Sequence, residues 1–456
     1  MAETAPATPL DIHEIPFADL LLLLLSPEAA AAGDADGRRR RLLATVWAAL
    51  GPGGACLLAV SGVPRAAALR RRLLPLARRL ALMDNPSRAR LLKKHGLGSD
   101  VPLKKPDRSV SSFAQLLRHD HDSGKLHSPE STTETTGGME VIAGVDGFGE
   151  NKGGDDGDDI ENLGELFKEL GLCMMELGIL VARACDIVIG GNQLEQSITD
   201  FGSAKARLIH YHSELDSRII KERSSTKRKS LVNNAAAAAA RPVSDHMDTG
   251  QMPGSEDGSC LKSAEENSLI SLVNLWQEWH YDYGVLTVLT APLFLRSALG
   301  QECPVSEECS LPDGHSHLQL FDKRRIFSVR CSQESFIVQV GEAAGILSRG
   351  KLRSTLHAVS RPLGLPNISR ETFVVFLQPS WDKTLPFSGY SSADEEDGSS
   401  DHMESAGSCG EHTLMQEILK KIPPLSSRLK EGMTFAEFSR QTTKRYYGGG
   451  GIQQNS

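Results

Sequence analysis

The sequence predicts an α+β protein: helices first, then antiparallel strands folded as a sandwich or barrel. Two observations carry this. Between about Ser268 and Pro386, six short β-branched runs follow one another closely, and such runs form antiparallel sandwiches or barrels rather than parallel sheets. Between about Ile160 and Ile189, apolar residues recur at three- and four-residue steps, the period of a helix with one buried face. A third observation sets boundaries. Asp120–Asp159, Glu222–Asn267 and Ser388–Gly410 are rich in Gly, Ser and charge and poor in aromatics, so they bury too little apolar surface to offset the entropy of ordering. The expected organisation is an N-terminal region over 12–118, a disordered insert over 119–159, a support helix with the first core strands over 160–221, a second insert over 222–267, a strand-rich core over 268–386, an acidic disordered loop over 387–411 and C-terminal helices over 412–447.

In order along the chain, the six leucines after Asp19 are too few to span a bilayer and open an ordinary strand or helix. "RRRRLLATVWAALGPGG" reads as a helix ended by glycine, and "ACLLAVSGVP" as a short buried strand. "AALRRRLLPLARRLALM" is a second helix with leucines on one face and arginines on the other. In the long helix, Leu163, Leu166, Phe167, Leu170, Met174, Leu177, Val181 and Ala184 share a face, which reads as packing rather than as a cofactor box. "ARLIHYHSEL" follows as a strand. The core strands are "GVLTVLT", "SHLQLF", "RRIFSVR", "SFIVQVG", "LRSTLHAVS" and "TFVVFLQP", with no helical period between them. Near the end, Thr434 and Glu437 form a capping box, with Met433 and Phe438 placed to staple it.

Composition narrows the function classes. The chain has 456 residues but only 40% hydrophobic and 5% aromatic residues, so the folded mass is smaller than the length suggests. The net charge of -8 argues against a nucleic-acid binder that relies on a positive field. The cysteines contain no C-x-x-C and follow no secretory signal, which fits reduced thiols in an intracellular protein. A cytoplasmic monomer without membrane contact is expected, with the nucleus as the other candidate compartment.

The chemistry centres on "NLWQEWHYDYGVLTVLTAPLF". In an extended chain His280 and Asp282 point the same way and offer an imidazole nitrogen and a carboxylate oxygen to one ion. A further histidine would complete the two-His, one-carboxylate face that holds ferrous iron. H-x-D alone is unspecific: His246 with Asp248 repeats it, and His402 with Glu404 nearly does, both in stretches expected to be disordered. Around His280 the setting is better. Gly284 and strand-period residues follow, His357 lies in a late strand, and Arg370 and Thr372 share a face at the start of the next. An arginine fork beside a hydroxyl suits a carboxylate.

Other candidates have blander readings. His315 and His317 near Cys303 and Cys309 fit no common zinc spacing and read as a solvated loop. His210 and His212 flank Tyr211 on a sheet face. "STKRKS" (Ser225–Ser230) reads as a solvated charge run, and "GVDGFGENKGG" lacks the helix a phosphate loop needs.

The order H-x-D, "GKLRSTLHAV", then R-x-T before an apolar strand resembles the 2-oxoglutarate- and Fe(II)-dependent oxygenases, in particular the plant branch related to isopenicillin N synthase. "EIPFADL", "LGPGGACLLAVSGVP" and "ARLIHYHS" resemble that branch's opening, glycine–strand and R-L-N-x-Y-P passages. The resemblance covers the folded segments and none of the inserts. It implies a double-stranded β-helix (jelly-roll) core over 268–386, with His280, Asp282 and His357 as iron ligands. Arg370 and Thr372 would hold the far carboxylate of 2-oxoglutarate, with help from Tyr211. The implied activity is hydroxylation or desaturation of a small organic molecule by dioxygen, with release of succinate and carbon dioxide. The chain departs from the family in several places. Arg-x-Thr replaces Arg-x-Ser, Ile209 stands where the family has Asn, and Ser61–Gly62 replaces histidine–glycine. The interval from Asp282 to His357 is long, with the excess assigned to a barrel-mouth loop over Leu295–Ser316. Two rival readings are weighed against this one. A nucleic-acid demethylating oxygenase would want a second arginine close to the first, and Arg361 and Arg370 are only loosely placed. A non-catalytic jelly-roll scaffold would have no physical reason to keep all five positions.

Overall fold

Two β-sheets face each other across the site in this computed structural model, which describes residues 7–25, 35–99, 109–118, 156–223, 274–297, 306–310, 316–322, 325–387 and 422–446. The strands in chain order are β1 (Thr8–Asp11), β2 (Glu14–Pro16), β3 (Leu57–Ser61), β4 (Gly98–Ser99), β5 (Val110–Leu117), β6 (Ser203–Tyr211), β7 (Leu275–His280) and β8 (Leu286–Thr290). They continue as β9 (Leu293–Ser297), β10 (Ser306–Glu308), β11 (Leu318–Asp322), β12 (Arg325–Arg330), β13 (Phe336–Val340), β14 (Leu356–Ser360) and β15 (Ile368–Gln378). The smaller sheet has the order β1-β12-β11-β14-β7. The larger runs β2-β3-β13-β8-β15-β6-β5-β4, and the β9–β10 hairpin joins it through β15. Helices and antiparallel strands together give an α+β molecule with the double-stranded β-helix at its centre. Ile209 and Tyr211 from one sheet pack with Trp276 and Val359 from the other. Leu318 and Leu320 meet Leu57 and Ile337 in the same way.

The outer face of the large sheet is covered by helices. The principal one, α1 (Leu163–Ile189), buries Leu163, Phe167, Leu170, Met174, Leu177, Val181 and Ala184, as the three- and four-residue spacing requires. Each such Leu contributes roughly 1.5–3 kcal/mol relative to staying exposed. Gly178 lets this helix approach β15: a Cβ there would sit 2.2 Å from a Leu377 methyl. The helix ends where Gly190 adopts φ +76° and its N–H returns to the Asp186 carbonyl.

A second helix, α2 (Ala66–Leu82), corrects the sequence reading. Leu69, Leu73, Leu74, Leu76 and Leu80 are buried, but so are Arg70 and Arg78, expected on the wet face. Arg70 donates to the carbonyls of Ala291 at 2.8 Å and Pro292 at 2.6 Å, while Arg78 bonds the Asp216 carboxylate at 2.8 and 3.0 Å. A distant turn at Ala291–Pro292 and the helical segment carrying Asp216 bring acceptors that a local period cannot show. Two further corrections concern the core. A short helix, α3 (Glu342–Leu347), interrupts the strands where none was expected, and its Glu342 is ion-paired with Arg428 of the C-terminal segment. The assigned barrel-mouth loop starts within β9 and contains β10, the two paired antiparallel. β1 and β2 add parallel edges through β12 and β3. The C-terminal helix α4 (Phe435–Tyr446) opens on the expected capping box, with Thr434 N–H to Glu437 Oε2 at 2.9 Å and Glu437 N–H to Thr434 Oγ1 at 3.3 Å.

Of the first low-complexity stretch only the start of a helix at Asp156–Glu161 is described. The rest of it, with residues 224–267 and 388–410, lies outside the described residues. So do Ser225–Ser230, "GVDGFGENKGG", His246, Asp248, His402, Glu404, His315 and Cys303. Among the described residues no helix is long and apolar enough to cross a membrane.

Candidate metal and co-substrate site

The pairing of β14 with β7 sets His357 directly opposite His280, their rings 4.2 Å apart. Asp282 sits just past the end of β7, and its carboxylate oxygens lie 3.9 Å from Nε2 of each imidazole. One donor atom from each of the three residues falls within 4.8 Å of the others, among the described residues the one such cluster of His, Cys, Asp and Glu side chains. All three positions expected from the sequence are thus brought together at one end of the inter-sheet space.

Hydrogen bonds decide which ring nitrogens face the cluster. His280 Nδ1 lies 2.7 Å from the Glu278 carbonyl and His357 Nδ1 lies 3.0 Å from the Thr355 carbonyl. A carbonyl only accepts, so each Nδ1 carries the proton and each Nε2 keeps its lone pair for the centre. Gln339 approaches His357 Nδ1 at 2.7 Å, while its own Oε1 is buried without a partner. Turned end for end, the amide accepts from Nδ1–H and that oxygen is satisfied. Thr287 donates to Asp282 Oδ2 at 2.7 Å and fixes the carboxylate. Burial, then the neighbouring His357, pushes His280 down to about 4 against the opposing pull of Asp282. At neutral pH it is therefore a neutral donor. Two imidazoles and a carboxylate with no cation among them fit a divalent ion that takes nitrogen and oxygen ligands and keeps open positions.

Arg370 and Thr372 start β15 on the inner face. Arg370 is 3% exposed, its guanidinium carbon stands 5.1 Å over the Tyr211 ring, and Nε donates to the Ser316 carbonyl at 3.1 Å. Strand register makes this stack, because Arg370 pairs with Tyr211 across β15 and β6. No carboxylate pairs with Arg370 among the described residues, and burial holds it below the ordinary arginine value. A buried guanidinium in this state calls for an anion, and its planar fork suits a carboxylate. Thr372 is buried, and its hydroxyl is 3.3 Å from Thr290 Oγ1.

The remaining candidates stand elsewhere. His210 points to the back of β6, where Glu371 holds it at 2.9 Å. His212 bonds Ser111 at 2.8 Å. His317 Nδ1 bonds Ser360 at 3.2 Å and Cys309 bonds the Phe294 carbonyl at 3.6 Å, each with its own local partner. The sequence reading missed Gln277, Thr287, Thr290 and Gln339. Gln339 and Thr287 did carry a signal, a polar residue inside an apolar strand run.

The family model described as the 2OG-Fe(II) oxygenase superfamily matches residues 309–379, which hold His357, Arg370 and Thr372. No curated protein matches the chain by sequence. Among solved structures, a full-length Neurospora crassa protein in complex with alpha-ketoglutarate and 5-formyluracil is 13% identical, covering 89% of this chain and 95% of that one at TM-score 0.45. The rice dioxygenase for auxin oxidation is 16% identical, covering 82% and 85% at TM-score 0.41. Its Arabidopsis thaliana counterpart, solved with 2-oxoglutarate, is 13% identical, covering 84% and 98% at TM-score 0.43. These are likenesses of distant chains and say nothing of this chain's substrate. The matched superfamily is one of oxidoreductases, and the donor set and the buried arginine fit the two cofactors in its description, Fe(II) and 2-oxoglutarate.

Proposed function

We propose that the chain is a 2-oxoglutarate- and Fe(II)-dependent dioxygenase that hydroxylates or desaturates a small organic molecule, releasing succinate and carbon dioxide. The observation that supports it most is the convergence of His280, Asp282 and His357 within 4.8 Å inside the same inter-sheet space as a buried arginine. In this reading His280 Nε2, His357 Nε2 and the Asp282 carboxylate would hold the ion, whose chemistry would be co-substrate binding and dioxygen activation. The chain's own residues do the rest. Glu278, Thr355 and Gln339 fix the two rings, and Thr287 orients the carboxylate. Arg370, stacked on Tyr211, takes the far carboxylate of the co-substrate, with Thr372 beside it. Ile209, Trp276, Phe294 and Val374 line the space between the sheets and exclude water from it. The closer relationship to the isopenicillin N synthase branch rests on the order of the motifs.

The test is succinate release from the purified protein supplied with Fe(II) and 2-oxoglutarate, before and after His280→Ala. Turnover is expected in the first and absent in the second, and turnover retained by the variant would remove the assignment. Comparing untargeted metabolite profiles with and without the active protein then identifies the substrate.

A further inference from the structure

The side chain of Gln277 bridges the two halves of the site. Its Oε1 accepts from the Tyr211 hydroxyl at 2.8 Å, and its Nε2 lies 2.8 Å from His280 Nε2. The proton on His280 Nδ1 goes to the Glu278 carbonyl at 2.7 Å, so Nε2 carries a lone pair and the Gln277 amide donates to it. The opposite amide orientation would set Oε1 against that lone pair. The amide therefore caps the same lone pair that the metal-ligand assignment requires. Tyr211, which holds the other end, is the ring under Arg370 at 5.1 Å.

We infer that Gln277 is a positioning residue that couples the two binding events: it competes with the metal for His280 and, once displaced, offers its N–H to the carboxylate or keto oxygens of the co-substrate. This rests on the proposed function for the identity of both ligands. The coupling has a sign. Removing the amide frees the lone pair and strengthens binding of the metal alone. It also removes a donor beside the Arg370–Tyr211 pair and weakens the co-substrate. One neutral hydrogen bond changes each equilibrium by about three- to tenfold. Tyr211→Phe frees the amide from its tether and acts in the same direction on the co-substrate.

The experiment is titration of the metal-free full-length protein with Mn(II) or Co(II), followed by titration of the Co(II)-loaded protein with 2-oxoglutarate, for wild type, Gln277→Leu and Gln277→Glu. The expected result for Gln277→Leu is tighter metal binding and weaker 2-oxoglutarate binding. Gln277→Glu, which adds a carboxylate at the metal, tightens the metal further and repels the co-substrate. Metal binding by Gln277→Leu that is unchanged or weaker overturns the inference while leaving the proposed function intact. Failure of the wild type to bind either ion overturns both.

Discussion

Strands β6 and β15 carry two buried polar clusters, one on each face, built from the same kinds of side chain. On the inner face stand Tyr211 and Arg370, with His280, Asp282 and His357 in the same inter-sheet space. On the outer face the neighbouring residues His210 and Glu371 pair across the same register. His210 Nδ1 is 2.9 Å from Glu371, and its Nε2 is 3.5 Å from Asp216, which Arg78 and Ser213 also bond. His210, Asp216 and Glu371 are all fully buried. The outer cluster is closed: an arginine and an imidazole face two carboxylates and each carboxylate has donors. The inner one is open at both ends, since among the described residues Asp282 has a hydroxyl donor but no bonded cation and Arg370 has no bonded carboxylate. Two clusters of like composition thus differ in whether the guanidinium and the carboxylates find each other within the protein. The unpartnered set is the one on which the proposed function rests.

Breaking the outer cluster should cost the most stability. Arg78→Met leaves Asp216 buried beside Glu371 with its guanidinium gone, a loss of about 3–5 kcal/mol as for other broken buried pairs, read from urea unfolding. Asp282→Ala reverses the pattern: turnover and metal binding should fall by at least about 100-fold, while the metal-free protein unfolds closer to wild type than Arg78→Met does. Thr287→Val removes only the orienting hydroxyl and should weaken the metal by about 10–100-fold, measured by Co(II) titration. Arg370→Lys keeps the charge but loses the fork and the stack on Tyr211. The KM for 2-oxoglutarate should rise about tenfold with a smaller change in kcat.

The smallest effect concerns pH. Burial raises the Asp216 carboxyl, but His210 and Arg78 outweigh it and hold the group below the ordinary carboxylate value. A carboxyl lowered on folding contributes stability that is present above its unfolded pKa, about 3.9, and is lost as pH falls through the folded value. Wild type should keep this contribution well into the acid range, and Arg78→Met should lose it at higher pH. Identical acid unfolding midpoints would show that the outer cluster is not held by charge.

Much of the inner cluster was legible because its signals are local. His280 with Asp282, and Arg370 with Thr372, are i, i+2 pairs: period two puts Arg370 and Thr372 on one face of β15, and Asp282, just past the end of β7, stays beside His280. The outer cluster was not legible. Arg78 looks like a solvated residue of an amphipathic helix, and only the distant helical turn carrying Asp216 draws it inward. Gln277 belongs to the same class of omission, because its two partners, Tyr211 and His280, meet only across the sheets. The strands of the core were readable from β-branched runs. The parallel pairing of β1 with β12 and of β2 with β3 joins segments far apart in the chain and has no local signature.

The ion pair between Glu342 and Arg428 reaches further than its place in the fold suggests. Glu342 N–H bonds the Asp282 carbonyl at 2.8 Å, and Arg428 Nη1 also donates to Thr442 in α4 at 2.9 Å. The backbone of Asp282 is therefore tied, through Glu342, to a segment that lies far later in the chain. A polypeptide ending before Arg428 would carry His280, Asp282 and His357 yet leave the Glu342 beside Asp282 buried without its cation.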